Sequence, residues 1–336
     1  MAKITYASSG VDIDSADDAK REIAKLAGST FNEKVLTQIG LFAGAYDIGH
    51  DNVLLSSADG VGTKIKIAAQ MGIYDTVGID LVHHCANDIA VHNATPLFFL
   101  DYIGHSNLTH RKIASIVAGL AKGCRNIGLA LIGGETAQMP SIYPSDEFDL
   151  VGFIVGIVRR DEMITGENIR PGDVIIGLPA NGLHTNGYSL ARKVLFEIAK
   201  LKADSHIPEL GETLGEALLR IHPSYLWAIQ SLHGKVEIRG MAHITGGGVR
   251  VNLVRVLPAD CRAKIQKNSA PENPIFNLIQ KLGDIEESEM FKAFNMGFGY
   301  LIIVPESDVD KTLDILGKPA FCAGAIVKGE RDVELV

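Results

Sequence analysis

The sequence predicts an α/β protein of two domains, each a mixed β-sheet covered by helices. Three observations carry that prediction. Strand-length apolar runs alternate with helix-length amphipathic stretches in both halves of the chain. The alternation breaks once, where Arg159 to Gly172 turns polar and contains Pro171. Glycines gather in short turns at 60–62, 133–134, 177–187 and 246–248, just where the runs end. The break divides the chain into an N-terminal domain, 1–165, and a C-terminal domain, 170–336.

In the first half a helix is expected near 15–27, followed by a glycine-rich stretch at 40–49. Residues 53–57 read as a strand that ends in a glycine turn and opens a helix. Residues 78–93 read as a helix, because Ile79, Val82, Ala86 and Ile89 recur on one face. Pro96 precedes a short buried strand at 97–100. Thr109 suits the N-cap of a helix running to about Asn126, with Gly128 at its C′ position. Strands at 129–132 and 148–158 close the first half. The second half reads as strand 173–178, helices 187–201 and 224–233, strand 236–244 and helix 248–256. Strand 261–266, helix 274–282, strand 299–304, helix 307–316 and strand 321–327 complete it. There is no short-period repeat and no low-complexity tract.

The bulk numbers exclude some functions. With 46% hydrophobic and 21% charged residues the chain can bury a large core and should not be disordered. A formal net charge of −8 argues against a nucleic-acid or anionic-membrane surface, which needs clustered Lys and Arg. It leaves room for a phosphate ligand held by backbone N–H groups, a lysine and a metal. Cys85, Cys124, Cys261 and Cys322 are far apart, so neither a zinc site nor a disulfide framework is expected from them. They read as small buried apolar residues in a reducing compartment. No apolar run approaches the roughly 20 residues that span a bilayer, and the start lacks an apolar signal stretch, so the cytoplasm is the expected location.

Five segments can carry chemistry. Ser-Ala-Asp-Gly-Val-Gly-Thr-Lys (57–64) follows a strand and opens a helix. Gly60 and Gly62 free the backbone to approach an oxyanion, while Thr63 and Lys64 offer a donor and a charge. Asp59 makes sense beside a phosphate only with a metal between them. The Walker spacing is absent, and an ordinary Asp-Gly turn is the bland alternative. On helix 78–93, Asp80, His84 and Asp88 fall at i, i+4 and i+8 beside Asn87, one face that suits a hard cation such as Mg²⁺. The bland alternative there is a solvated face, with His83 and His84 at the surface or behind the ligands. Glu135, after Gly133-Gly134, stands at a strand's carboxyl end and could complete a metal site with Asp59, Asp80 and Asp88. His184-Thr185-Asn186-Gly187 and His243-Ile244-Thr245-Gly246-Gly247 each precede a helix. Such helix starts suit a phosphate monoester or a developing oxyanion, and the histidines could move protons.

These segments together resemble the phosphoribosylformylglycinamidine cyclo-ligase family, also called aminoimidazole ribonucleotide synthetases. The resemblance runs through Asp-Gly-Val-Gly-Thr-Lys (59–64), Cys-Ala-Asn-Asp (85–88), Pro-Leu-Phe-Phe-Leu-Asp-Tyr (96–102) and Gly-Gly-Glu-Thr-Ala-Gln-Met-Pro (133–140). It continues through His-Thr-Asn-Gly-Tyr-Ser-Leu (184–190), Ala-His-Ile-Thr-Gly-Gly-Gly (242–248) and Phe-Asn-Met-Gly-Phe-Gly (294–299), nearly the whole chain in order. It implies a homodimer in which the N-terminal sheets pair, with the nucleotide near that interface. It also implies the reaction. ATP phosphorylates the formyl amide oxygen of formylglycinamidine ribonucleotide, the amidine nitrogen attacks, phosphate departs, and aminoimidazole ribonucleotide forms.

On this reading Asp59, Asp80, Asp88 and Glu135 hold Mg²⁺ against the triphosphate. Asp59, Gly60, Val61, Gly62, Thr63 and Lys64 form the nucleotide loop. Thr185, Asn186, Gly187, Thr245, Gly246 and Gly247 hold the substrate, and His184, His243 and Lys64 assist charge and proton transfer. Some positions depart from the family pattern. Tyr6 is followed by Ala7-Ser8-Ser9 where a basic residue is usual, and Gln138 replaces a Glu and is assigned no metal. The helix start at Pro223-Ser224 keeps a hydroxyl, and the segment Gly40 to Tyr46 is loosened. The alternatives are another ATP-using member of the superfamily, such as a small-molecule kinase, and a non-catalytic nucleotide-binding protein. A selenophosphate-forming enzyme would carry a reactive cysteine before Cys85, and thiamine-phosphate kinases lack the Phe-Asn-Met-Gly pattern. Retention of four acidic candidates speaks against a non-catalytic role.

Overall fold

The computed structural model describes Thr5, Ser9, Gly10 and residues 13–336, so of the departure after Tyr6 the positions Ala7 and Ser8 lie outside the described residues. The first half contains α1 (Ile13–Gly28), β1 (Gly44–Gly49), β2 (Asn52–Gly60), α2 (Lys64–Met71), α3 (Asp75–Ala90), β3 (Thr95–His105), α4 (His110–Asn126), β4 (Ala130–Gln138) and β5 (Phe148–Arg159). The second begins with β6 (Val174–Pro179), α5 (Tyr188–Arg192), β7 (His206–Ile207), β8 (Glu212–Thr213), α6 (Leu214–Leu218) and α7 (Leu226–Leu232). It continues with β9 (Gly240–His243), α8 (Gly248–Leu253), β10 (Cys261–Ile265), α9 (Pro274–Gly283) and α10 (Glu287–Ala293). It ends with β11 (Phe298–Val304), α11 (Val309–Leu316), β12 (Phe321–Lys328) and β13 (Asp332–Leu335).

Two mixed sheets result. The first has strand order β1-β2-β5-β3-β4, antiparallel except for the β3–β4 pair. The second has order β13-β10-β12-β6-β11-β9, antiparallel except for β10–β13. Helices cover one face of the first sheet. Val53, Leu55, Phe99, Leu150 and Ile154 point to that face and are fully buried. Side chains alternate along a strand, so their neighbours point the other way. That outer face leaves Tyr46 42%, Ile132 59% and Phe153 44% exposed.

α3 and α4 lie close because glycines meet backbone. A Cβ on Gly119 would stand 1.9 Å from the Asp75 carbonyl oxygen, and one on Gly78 would stand 2.4 Å from that of Ile116. α4 starts as the sequence predicts, the Thr109 side chain accepting from the Lys112 N–H. On α3 the bland alternative of a solvated face fails. Its Ile79-Val82-Ala86-Ile89 face packs in the core, but its polar face is not solvated. Every residue from Val77 to Ala90 is buried, because the polar face meets the second half of the chain. A helix buried all round needs partners for its polar groups, and α3 finds them for most, His83 Nε2 and Thr76 Oγ1 being left without one.

Other differences are local. β1 arises within the glycine-rich stretch, where a six-residue edge strand with glycine at both ends leaves little pattern. The helix expected at 187–201 is five residues of α5 followed by wider π-helical turns at Lys193–Ile198. Cys85, Cys124 and Cys261 are buried as expected, whereas Cys322 is exposed. Among the described residues no helix is long and apolar enough to cross a membrane.

Candidate functional site

The polar face of α3 meets three segments of the second half: the loop before α5, the turn at 220–223 that leads to α7, and the end of β9. Lys64, at the first position of α2, is fully buried, with Nζ 2.7 Å from Asp80 Oδ2. The same ammonium donates to the Arg220 carbonyl at 2.7 Å, and Asp80 Oδ1 accepts the His222 N–H at 2.7 Å. Burial pushes the Lys64 pKa down and the Asp80 pKa up, and each partner's charge opposes the shift of the other. Lys64 and Asp80 therefore fasten the two halves together. The expectation of a phosphate-binding lysine and a metal-binding Asp80 is corrected, since neither group reaches solvent.

Asp59 is the penultimate residue of β2 and is the acidic group that opens outward. Its Oδ2 accepts from His84 Nε2 at 2.8 Å, and its Oδ1 accepts the Gly60 N–H at 2.7 Å. Burial alone would raise the Asp59 pKa, but the charge and hydrogen bond of His84 bring it down to about 2. Burial would likewise lower His84, yet Asp59 and then Asp88 raise it to about 9. His84 Nδ1 bonds Thr185 Oγ1 at 2.7 Å. Asp88 accepts from the Ser57 hydroxyl at 3.3 Å and from His243 Nδ1 at 2.8 Å. Asp59, His84 and Asp88 thus offer ligand atoms within 4.8 Å of one another. His83 and His84, expected at the surface or behind the ligands, are both buried.

Glu135 does not join this set within one chain. Asp59 pairs with Gly152 on β5, in the same alternation as Ser57, whose hydroxyl reaches Asp88. Glu135 pairs with Tyr102, which pairs with Val151, one residue out of that alternation and so on the outer face. It also stands three strands away, about 14 Å at the usual strand spacing.

The acidic pair lines a cleft of about 300 Å³ with Leu41, Phe42, Ser57, Asn186, Thr245, Gly246 and Arg255. Arg255 lies with its guanidinium carbon 5.0 Å from the centre of the Phe42 ring. Asn252 holds the 245–248 turn open by donating to the carbonyls of Thr245, Gly246 and Gly248. An apolar groove that includes Val35, Ile39, Leu41 and Phe42 continues from the cleft. Carboxylates, one guanidinium and a glycine turn beside an apolar groove suit a nucleotide bound through a divalent cation.

Several expected residues do not face that cleft. Of the loop 59–64, Asp59 lines it, whereas Val61 is core and Thr63 Oγ1 meets Ser189 Oγ at 3.2 Å. Gly62 approaches the Thr185 carbonyl, and Gly187 packs on Phe294. Thr185 is buried against His84. Gly247 adopts φ 90° ahead of α8, and a Cβ there would stand 2.7 Å from that of Val251. His184 and His243 are buried rather than open to a substrate. His184 stacks on His222 with ring centres 4.0 Å apart, and burial drives its pKa well below the usual histidine value. His222 and Arg255 were not anticipated. The first sits in a turn without periodicity, and the second reads in the sequence as one more helix cation.

Comparison with known proteins agrees with this architecture. The family description "AIR synthase related protein, N-terminal domain" matches residues 41–158, and its C-terminal counterpart matches 170–335. A phosphoribosylformylglycinamidine cyclo-ligase of Thermodesulfovibrio yellowstonii is 48% identical over 335 residues, covering 98% of each chain. One of Alkaliphilus oremlandii is 45% identical over 340 residues, covering 99% of this chain and all of its own (100%). The chain belongs to the phosphoribosylformylglycinamidine cyclo-ligase family. The fold reaches beyond that family. The structure described as AaThiL complexed with AMPPCP and TMP has a TM-score of 0.66 at 15% identity, covering 94% of this chain and 93% of its own. A hydrogenase maturation protein HypE in complex with ATP has a TM-score of 0.59 at 17% identity, covering 89% and 81%.

Proposed function

We propose that this chain closes the imidazole ring of aminoimidazole ribonucleotide from formylglycinamidine ribonucleotide, consuming ATP in purine biosynthesis. The single observation that carries this reading is near-half identity to cyclo-ligases along the whole length of both chains. The cleft supports it, because the groups lining it match the needs of a triphosphate.

The N-terminal domain supplies nucleotide and metal binding, and the C-terminal turns supply the substrate phosphate site. The apolar groove at 35–45 takes the adenine, and Arg255 faces the phosphates. Asp59 and Asp88 fit Mg²⁺, since both are hard oxygen donors and the Asp59 side chain is 47% exposed. Bound there, Mg²⁺ would neutralise charge on the transferring phosphoryl group. His84 and His243 aim these carboxylates rather than touch the substrate. Asn186, Thr245 and Gly246 position the amide for transfer of the γ-phosphoryl group to its oxygen. The amidine nitrogen then attacks the activated carbon and phosphate leaves. Much of the acceleration comes from holding reacting atoms in line.

The chain works as a homodimer on this reading. A second copy covers the outer face of the first sheet, where Tyr46, Phe153 and Ile132 would otherwise stay wet.

The test is a coupled assay with ATP, Mg²⁺ and formylglycinamidine ribonucleotide, following ADP and the diazo-coupled aromatic amine. Equal yields of both support the reading. ATP hydrolysis without amine would move the function to another ATP-using member of the superfamily.

A further inference from the structure

Behind the cleft lies a cluster of imidazoles whose remaining ring nitrogens the proposed function leaves without a role. His84 comes from α3, His222 from the turn before α7 and His243 from the end of β9, so the cluster joins both halves of the chain. All three are buried, and one ring nitrogen from each lies within 4.8 Å of the others. His222 Nε2 stands 3.1 Å from His243 Nε2.

The hydrogen bonds around the pair fix the tautomers. Asn87 Oδ1 accepts the Tyr225 N–H at 2.8 Å, and its Nδ2 donates to the Pro223 carbonyl at 3.0 Å. That orients the Asn87 amide, so its Nδ2–H also points at His222 Nε2, 3.3 Å away. His222 Nε2 is therefore an acceptor. His243 Nδ1 bonds Asp88 Oδ1 at 2.8 Å, and a carboxylate oxygen only accepts, so His243 carries its hydrogen on Nδ1. With both rings neutral, two lone pairs face each other at 3.1 Å. Such a contact needs a positive charge between them. A proton can join two nitrogens, but here a third ring converges on the same place.

We propose that His84, His222 and His243 bind a zinc-class divalent ion, distinct from the Mg²⁺ at the cleft. Neutral imidazoles suit borderline-soft ions, so binding must displace the proton that Asp59 and Asp88 favour on His84 and take over a ring nitrogen now bonded to Thr185 or Asp59, whereas the carboxylates of Asp59 and Asp88 suit hard ones. Two nitrogens bound tetrahedrally to zinc stand roughly 3.3 Å apart, close to the spacing already present. Asp88 on His243 and Asp59 on His84 supply the carboxylate–histidine contacts that orient metal-bound rings. The same carboxylates offset the ion's charge in a buried place. His184, stacked on His222, keeps both ring nitrogens buried without a hydrogen-bond partner. The ion would clamp the two domains together and hold Asp88 from behind.

The experiment uses the untagged full chain. Metal content is measured after dialysis, and the stripped protein is titrated with Co²⁺ while visible d–d absorption is recorded. The expected result is stoichiometric zinc-class metal and a tetrahedral cobalt spectrum, lost in His222→Gln and retained in Asp59→Asn at about 10–100-fold weaker Co²⁺ affinity. His243→Gln serves in place of His222→Gln if that variant fails to fold. Absence of both metal and cobalt spectrum in the wild-type chain overturns the proposal. So does a spectrum that survives His222→Gln but vanishes in Asp59→Asn, which would place the ion in the cleft. Either failure leaves the ring-closing reading intact, because that reading is judged by ADP and amine formation with Mg²⁺.

Discussion

Lys64 Nζ lies 2.7 Å from Asp80 Oδ2 with both side chains sealed from water. Two motifs that look like ligand-binding groups in the sequence thus meet each other instead, at the seam between the domains. Removing one partner strands the other. Lys64→Met and Asp80→Asn should each destabilise the protein by about 3–5 kcal/mol, as loss of one member of a buried pair does. The double variant should lose less than the sum, since no unpaired charge remains. Urea unfolding midpoints decide this, and simple additivity would count against the pairing.

This pair also marks where sequence reading stops. The spacing of Asp80, His84 and Asp88 rightly places them on one helical face, and the glycine turns locate the strand ends. What faces the helix cannot be read from the helix. His222 comes from an aperiodic turn, 142 positions from the Asp80 that its N–H meets. Glu135 looks equivalent to Asp59, because the sequence places each where a strand is expected to end, although β4 in fact runs on to Gln138. Strand order and register put them on opposite faces of the sheet, and neither is encoded in local pattern. Arg255 escapes notice because a cation near a helix end is ordinary, and only the fold brings it to the cleft.

Asp59 and Asp88 should behave differently from Arg255 in kinetics. Asp59→Asn or Asp88→Asn should reduce kcat by about 10²–10³-fold, the range seen when a charge-stabilising contact to the transition state is lost. Raising Mg²⁺ should partly rescue the variants. Arg255→Ala should act mainly by raising the KM for ATP, because the proposed function sets Arg255, which lines the cleft, against the phosphates and not on the metal. Steady-state kinetics across Mg²⁺ concentrations separate the two patterns. Unchanged kcat in Asp59→Asn would remove that residue from the metal site.

Phe153 stands on the outer face of the first sheet, directly opposite Leu100 on β3 and Ala58 on β2. It is 44% exposed in the single chain. If a second copy covers this face, Phe153→Glu buries a charge at the centre of the contact. The expected outcome is a shift from dimer to monomer in light scattering coupled to gel filtration, with far-UV circular dichroism unchanged. A wild-type chain that runs as a monomer at micromolar concentration would dispose of the dimer.

His92 follows the end of α3 and gives the acid limb of stability a specific source. Its Nδ1 bonds the Ile164 carbonyl at 2.8 Å, while its buried Nε2 has no hydrogen-bond partner. Burial pushes its pKa below the usual 6.5, against weaker opposition from the Ile164 bond and Asp88. The unfolded chain therefore takes up a proton below pH 6.5 that the folded chain refuses. Stability from this group is fully present above that pH and is lost as pH falls below it, by at most about 1.4 kcal/mol per pH unit. His92→Asn keeps a donor for the Ile164 carbonyl but cannot titrate. The stability gap between wild type and variant should therefore grow from pH 5 to 6.5 and then stay level. The other histidines are common to both chains, so their contributions cancel in the difference. Denaturation curves at half-unit pH steps measure the gap, and parallel curves throughout would mean that His92 takes up its proton equally in both states.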